Sequence, residues 1–447
     1  MNLPLSLDRW QSRTTFVLAL SLAVVGLGNV ARFSWLLGEN GGAPFMLSYL
    51  LCLLGVSVPL LVAELSLGSH GRGSPFISLR WAAQQSGASR RWVLIAALTC
   101  FAAFLLLVVS VVFGGWVLSY AYQLQLGEFA AISLPGTATE LERRIEAPAS
   151  VIGWSFCFAL FISAALAAGA RRGLGTFVWF ALPALLALLG ALLGYAIEQG
   201  DLAEAGSYLF KWQALDYDGG SFFAAMGFAL YTLTAGVAVG LSYGAYAPEK
   251  IPLVRSVLAV ALFDVVVSIA LAIVVLALTS SANLLPDRDL SLLFIALPYA
   301  FGNHAFGDFY GSLFFLALLI MLLGSAVALM EPLVASFEQQ TRLNRWRASA
   351  LCGAVVWLFG ALLSWGFSQS SPGSQVVTLL DQTATYGLIP SSLVLLALFV
   401  GWRMPLPVLR KELAREPEIL FRLWYFLVRF VSIPLICIAW LWLMLVP

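Results

Sequence analysis

The chain has 447 residues, of which 61% are hydrophobic and only 11% charged, with a mean hydropathy of +0.92. An ordinary soluble domain carries about a quarter charged residues, so this composition excludes one and implies a polytopic membrane protein. A net charge of +1 leaves no field to gather nucleic acid, and the information lies in where single charges fall.

A bilayer core needs about 20 apolar residues per helical crossing. Apolar runs at 13–37, 43–68, 92–126, 150–170, 174–197, 221–246, 253–281, 310–337, 347–368, 376–402 and 423–446 predict eleven spans. Helices are the expected form, because a lone open strand would leave its backbone unsatisfied in lipid. The first run reads as a span and not as a cleaved leader, since no small-residue cleavage site follows it. It is interrupted by Gly26, Gly28, Asn29 and Arg32, and the second run carries Glu64. The third and fifth are plain, apart from Gly173 and Pro183 at the fifth. The sixth is again interrupted, by Gly227, Thr232, Thr234, Gly236, Gly240 and Gly244. Asp264 lies inside the seventh. Segment 289–306 is too short to span and is expected to be a re-entrant or surface helix capping the outer face. The tenth run opens with Asp381.

With the N-terminus inside, 18 of the 24 basic residues fall in inner segments. Arg32, Arg143, Arg144, Lys211 and Arg288 remain outside, and Arg429 lies near the start of the last span. That bias predicts a cytoplasmic N-terminus and, after eleven spans, an outer C-terminus. Five scattered cysteines and two histidines, His70 and His304, suggest neither metal nor redox chemistry, and no nucleophile–base or paired-carboxylate constellation points to an enzyme.

Glycine clusters beside hydroxyls and an amide let a helix unwind at mid-membrane, where freed carbonyls suit a cation and half-helix N-termini suit a carboxylate. The same glycines also serve close helix packing. Their recurrence five spans apart favours an inverted repeat, giving an N-terminal cytoplasmic segment 1–12, a first repeat 13–197, an outer loop 198–220, a second repeat 221–402 and an inner loop with an eleventh helix at 403–447.

The stretch VGLGNVARFSWLLGENGGAPFMLSYLL (25–51) with VPLLVAELSLG (58–68) resembles the signature of the neurotransmitter:sodium symporter family. GGW (114–116), LPYAFG (297–302), GSAVALMEP (324–332) and the LLD and LFVGW pieces within 379–402 extend the likeness. The resemblance implies the leucine-transporter-like all-α 5+5 inverted repeat with broken first and sixth helices, cycling by alternating access. It implies a first sodium site from Val24, Asn29, Thr232 and Asp264 with a substrate carboxylate, and a second from Leu22, Val25, Met321 and Ser325. Substrate is expected near Val24, Leu27, Gly28, Leu106, Ser110, Tyr231, Thr232, Thr234, Val237, Ser325 and Leu329. Arg32 and Asp381 would form an outer gate, Trp10 part of an inner one, and Glu64 would support the unwound sixth helix.

Several positions depart from the family pattern. Asp264 replaces an asparagine, and Phe228 replaces a chloride-site glutamine although Tyr49 and Ser268 match, so chloride is expected not to be required. Gly324 stands in place of a second-site threonine, and Ser110 in place of a carboxylate-binding tyrosine. Leu7 and Gln339 replace both halves of the inner salt bridge, and Arg9 with Glu338 are the expected substitutes. The resulting expectation is a sodium symporter of a small zwitterion, a neutral or hydrophobic amino acid, in the plasma (inner) membrane. Proton coupling through Asp264, or a receptor of the same fold that does not cycle, stand as alternatives, and the oligomeric state is not legible.

Overall fold

The computed structural model describes residues 9–212, 216–249, 251–284, 291–341, 343–369, 376 and 379–445. Leu7, Lys250, Arg288 and Arg342 lie outside them.

The first run is two helices. Ser12 starts α1 (Arg13–Val24) by accepting from the Thr15 amide at 3.1 Å, supplying one of the partners that an opening helix turn lacks. The chain turns extended at Val25 and Gly26, and α2 (Leu27–Glu39) leaves at 57° to α1. Next come α3 (Ala43–Gly71), α4 (Pro75–Gln85), α5 (Arg90–Gln125), α6 (Leu134–Glu146), α7 (Pro148–Ala167), α8 (Ala170–Gln199) and α9 (Leu202–Phe210).

The sixth run also breaks, into α10 (Gly219–Thr232) and α11 (Val239–Tyr246). Between them Thr234, Gly236 and Ala238 all take positive φ, at 51°, 80° and 61°. Glycine adopts this conformation without cost, whereas the other two are held there by their surroundings. The glycines of this run divide their labour. Gly236 permits the unwinding, while a Cβ on Gly244 would lie 2.2 Å from the Leu65 carbonyl oxygen and one on Gly68 2.0 Å from that of Leu241. Close packing of α11 on α3 and a mid-span break thus both occur in one run.

The remaining elements are α12 (Leu253–Ser281), α13 (Leu292–Gly302), α14 (Gly307–Thr341), α15 (Arg345–Gln369), α16 (Leu379–Arg403), α17 (Leu406–Glu412) and α18 (Glu418–Trp442). Among the described residues, nine single helices and the two broken pairs, each pair counted once, give eleven long apolar runs where eleven are expected, and α13 is the short extra segment. Its Leu292, Phe294, Leu297 and Phe301 are buried, and Tyr120 at the end of α5 donates to the Phe294 carbonyl at 3.1 Å. Trp10 and Trp442 lie at opposite ends of the broken sixth run. The Trp10 amide donates to the Tyr246 carbonyl at the end of α11 (3.0 Å), while Trp442 stacks on Phe223 near the start of α10 at 4.7 Å.

Candidate functional site

Both helix breaks and the middle of α12 meet at one buried point. Asp264, fully buried on α12, accepts from Asn29 Nδ2 at 2.7 Å through Oδ1, and from the Thr232 hydroxyl at 2.9 Å and the Tyr49 hydroxyl at 3.2 Å through Oδ2. Asn29 holds the break itself. Its Oδ1 accepts from the Gly26 amide at 2.8 Å, and its Nδ2 also reaches Ser268 Oγ at 2.8 Å. The first-site residues Asn29, Thr232 and Asp264 are therefore brought together, with Val24 closing α1 beside them.

Helix termini supply the rest of the electrostatics. The last carbonyls of α1, from Leu22 to Val24, have no partners further along the same helix and carry partial negative charge, which suits a hard cation. The first amides of α2, at Leu27 and Gly28, carry the opposite sign and suit a carboxylate. Where the family pattern has a chloride-site glutamine, Phe228 packs its ring 5.4 Å from both Phe33 and Tyr49. Tyr49 turns its hydroxyl to Asp264, so a carboxyl group of the protein lies beside this place.

At the expected second sodium site, Ser325 lies against the break, its Oγ 3.7 Å from where a Cβ on Gly26 would be. Met321 and Val25 are buried, and Ser325 is half-buried. Gly324 explains the departure from threonine. A Cβ there would fall 2.4 Å from Leu22 Cγ and 2.7 Å from the Leu22 carbonyl oxygen, so α14 and α1 approach too closely for any side chain.

Among the expected substrate residues, Tyr231 is the best placed. Its ring covers Gly28, 3.2 Å from where a Cβ would be, and lies under the Arg32 guanidinium at 5.6 Å. A residue larger than glycine at 28 would push this ring away. Leu106, Val237 and Leu329 are buried, and the Thr234 hydroxyl is buried at the break with no hydrogen-bond partner among the described residues. Ser110 turns its hydroxyl back to the Leu106 carbonyl at 2.8 Å, so it does not reach as tyrosine would. Asp381 lies half-buried on α16. Glu64 accepts from the Gly236 amide at 3.2 Å, and Gly240 leaves room for its side chain, 2.9 Å from Glu64 Cβ to a would-be Cβ. Glu64 thus touches the unwound segment directly.

On the face of the N-terminus, Trp10 is buried and donates through Nε1 to the Ala170 carbonyl at 3.0 Å, with its ring against Phe16, Tyr243 and Tyr246. The expected Arg9–Glu338 replacement for the inner salt bridge is not formed. Arg9 pairs with Glu249 just beyond α11, and Glu338 pairs with Arg345 at 3.1 Å, because Arg345 opens α15 beside the last turns of α14. Gln339 accepts from the Ser74 amide at 2.7 Å instead of meeting a cation.

Sequence reasoning missed Glu331. It is fully buried on α14, accepts from the Tyr246 hydroxyl and pairs with Arg345, which also donates to the Leu166 carbonyl at 3.1 Å. The signal was available: a carboxylate well inside the apolar run 310–337 demands a partner.

The family model described as the sodium:neurotransmitter symporter family matches residues 7–128 and 147–446. An uncharacterized sodium-dependent transporter, YhdH, of Bacillus subtilis is 26% identical over 434 residues, covering 95% of this chain and 94% of its own. The bovine sodium-dependent neutral amino acid transporter B(0)AT2 is 34% identical over 114 residues, 26% of this chain and 15% of its own. The crystal structure of MhsT in complex with L-phenylalanine superposes with a TM-score of 0.87 at 29% identity, covering 97% of this chain and 99% of that one. With the broken helices, the buried carboxylate between them and a family match over nearly the whole length, this chain belongs to the sodium:neurotransmitter symporter family and is a multi-pass, sodium-dependent transporter, not an enzyme.

Proposed function

We propose that the protein carries a neutral or hydrophobic amino acid inward together with sodium, without a chloride requirement. The observation that carries this reading is the meeting of α1's carbonyl end, α2's amide end and the Asp264 carboxylate at one buried point. Sodium would take the oxygens of Val24, Thr232 and Asp264, with Asn29 Oδ1 turning from Gly26 to join them. The substrate carboxylate would face the Leu27 and Gly28 amides, and its side chain would face Leu106, Tyr231, Val237 and Leu329. The L-phenylalanine bound by MhsT supports a hydrophobic side chain here. A second sodium would use the carbonyls of Leu22, Val25 and Met321 with the Ser325 hydroxyl. In this reading Arg32 and Asp381 close the outer side, the N-terminus is cytoplasmic, and repeats 13–197 and 221–402 move against each other.

Linkage supplies the test, because a ligand bound only by the folded protein raises its melting temperature in proportion to RT ln(1 + [L]/Kd). Purified protein is melted with each amino acid or amine, in sodium or in potassium, as chloride or gluconate salts. The expected outcome is stabilisation by large neutral amino acids in sodium only, unchanged by gluconate. Equal stabilisation in potassium, or its loss in gluconate, overturns sodium coupling or chloride independence respectively.

A further inference from the structure

The segment from the end of α16 into α18 carries six basic residues, Arg403, Arg410, Lys411, Arg415, Arg422 and Arg429, against Glu412, Glu416 and Glu418. All three carboxylates are taken. Glu412 accepts from Ser69 Oγ at 3.0 Å and faces His70 at 3.1 Å, Glu416 pairs with Arg255 at 3.1 Å, and Glu418 pairs with Arg410 at 3.3 Å and Arg422 at 2.9 Å. Arg403, Lys411, Arg415 and Arg429 form no ion pair with a described residue.

Arg429 is the least expected of these, because it lies within α18 and not before it. Its guanidinium packs on the Trp402 ring at 4.2 Å, with Phe430 at 5.3 Å and Tyr425 at 5.7 Å, and Nη1 donates to the Tyr425 hydroxyl at 3.2 Å. Its Nε is buried without an acceptor among the described residues. The last turn of α16, which carries Arg403, touches it directly, since a Cβ on Gly401 would lie 3.3 Å from Arg429 Cα. Around this cation, Trp402, Leu423, Phe426 and Phe430 are each about half exposed on the outer surface of the bundle. Aromatic rings at the end of a span mark the headgroup level of a bilayer, and a long cationic side chain extends to the same level.

We propose that Arg429 and the adjoining Arg403 form a site for the phosphate of an anionic phospholipid, with Trp402 as its wall and Leu423, Phe426 and Phe430 against its acyl chain. Guanidinium matches phosphate in charge and in its paired donors. The exposed apolar faces beside it favour a lipid over a soluble anion, which could use only the charges.

The test is native mass spectrometry of the full chain in mild detergent, with equal amounts of dioleoyl-phosphatidylglycerol and dioleoyl-phosphatidylcholine. The wild type is expected to hold one phosphatidylglycerol in clear preference. R429Q and R403Q are each expected to lower that preference about five-fold, the ratio given by ~1 kcal/mol per basic residue near an anionic surface. R422Q, whose charge is spent on Glu418, should leave it unchanged. If R429Q does not fold, R403Q alone carries the comparison. Equal retention of both lipids by the wild type, full preference in R403Q, or displacement of phosphatidylglycerol by millimolar inorganic phosphate would each overturn the proposal. So would a change in the monomer–dimer ratio in place of lipid loss, which would assign the surface to a second copy of the chain.

Discussion

Replacing Gly324 with alanine tests how closely α14 and α1 approach at the helix break. The new methyl carbon would start 2.4 Å from Leu22 Cγ and 2.7 Å from the Leu22 carbonyl oxygen. Carbon atoms rest about 3.5–4.0 Å apart, so the Leu22 side chain must turn by about 1 Å and the backbone carbonyl must also retreat. Overpacking of this kind costs about 1–3 kcal/mol, expected as a fall of a few degrees in melting temperature. The second effect is more specific. The retreating backbone leads into Val24 and Val25 at the carbonyl end of α1, so the extra stabilisation given by sodium should shrink in G324A. L22A placed on G324A removes the Cγ contact and leaves the carbonyl one, so it should restore part of the melting temperature and little of the sodium response. Melting curves against sodium concentration for the three proteins decide the matter. If G324A melts like the wild type and keeps its full sodium response, the close approach at Leu22 has no energetic meaning and the reasoning fails.

Two more predictions concern the face of the N-terminus. R9E and E249R should each slow uptake, and the double charge swap should restore it, whereas R9E with E338R should not, because Glu338 belongs to Arg345; initial rates in proteoliposomes measure this. Burial works against the charge of Glu412, yet hydrogen bonds from His70 and Ser69 and the nearby Arg72 outweigh it and hold its pKa below the usual range. A depressed carboxylate pKa stabilises above the unfolded value of about 4.3 and loses that contribution as pH falls through the folded value. The melting difference between wild type and E412Q should therefore close as pH falls below about 4, and a difference that persists undiminished in stronger acid would contradict the pairing.

The broken first helix was legible because an asparagine among its glycines, inside an apolar run, points to a break more than to the close packing that glycines alone also serve. The sixth was legible only in part. Gly236 announced a turn, but Thr234 and Ala238 share its positive φ, and no local preference foretells that in residues bearing a Cβ. Asp264 stood out as a lone carboxylate in a span, while its donors Tyr49, Thr232 and Asn29 come from three separate runs, and nothing in spacing could have joined them. Glu331 went unread although its cost in the membrane was as plain as that of Asp264, since its partners Arg345 and Tyr246 fall at the edges of neighbouring runs. Arg9 was assigned to the wrong partner for a related reason. Position relative to the family pattern suggested Glu338, but proximity to Arg345 decides where that carboxylate spends its charge.

The Trp10 strap has a consequence for populations and rates. Its buried ring donates through Nε1 to the Ala170 carbonyl on α8 and its backbone amide donates to the Tyr246 carbonyl on α11, so opening on that face would release one residue from two helices at once. The strap cannot set the direction of net transport, which only the ion and substrate gradients do. In the proposed cycle it would set how rarely an empty carrier opens to that side, and a ligand arriving there would find its apparent affinity reduced by the fraction of molecules that are open. Loosening the strap, as W10A would, should therefore be felt as easier binding from the N-terminal side at the expense of waiting time on the other.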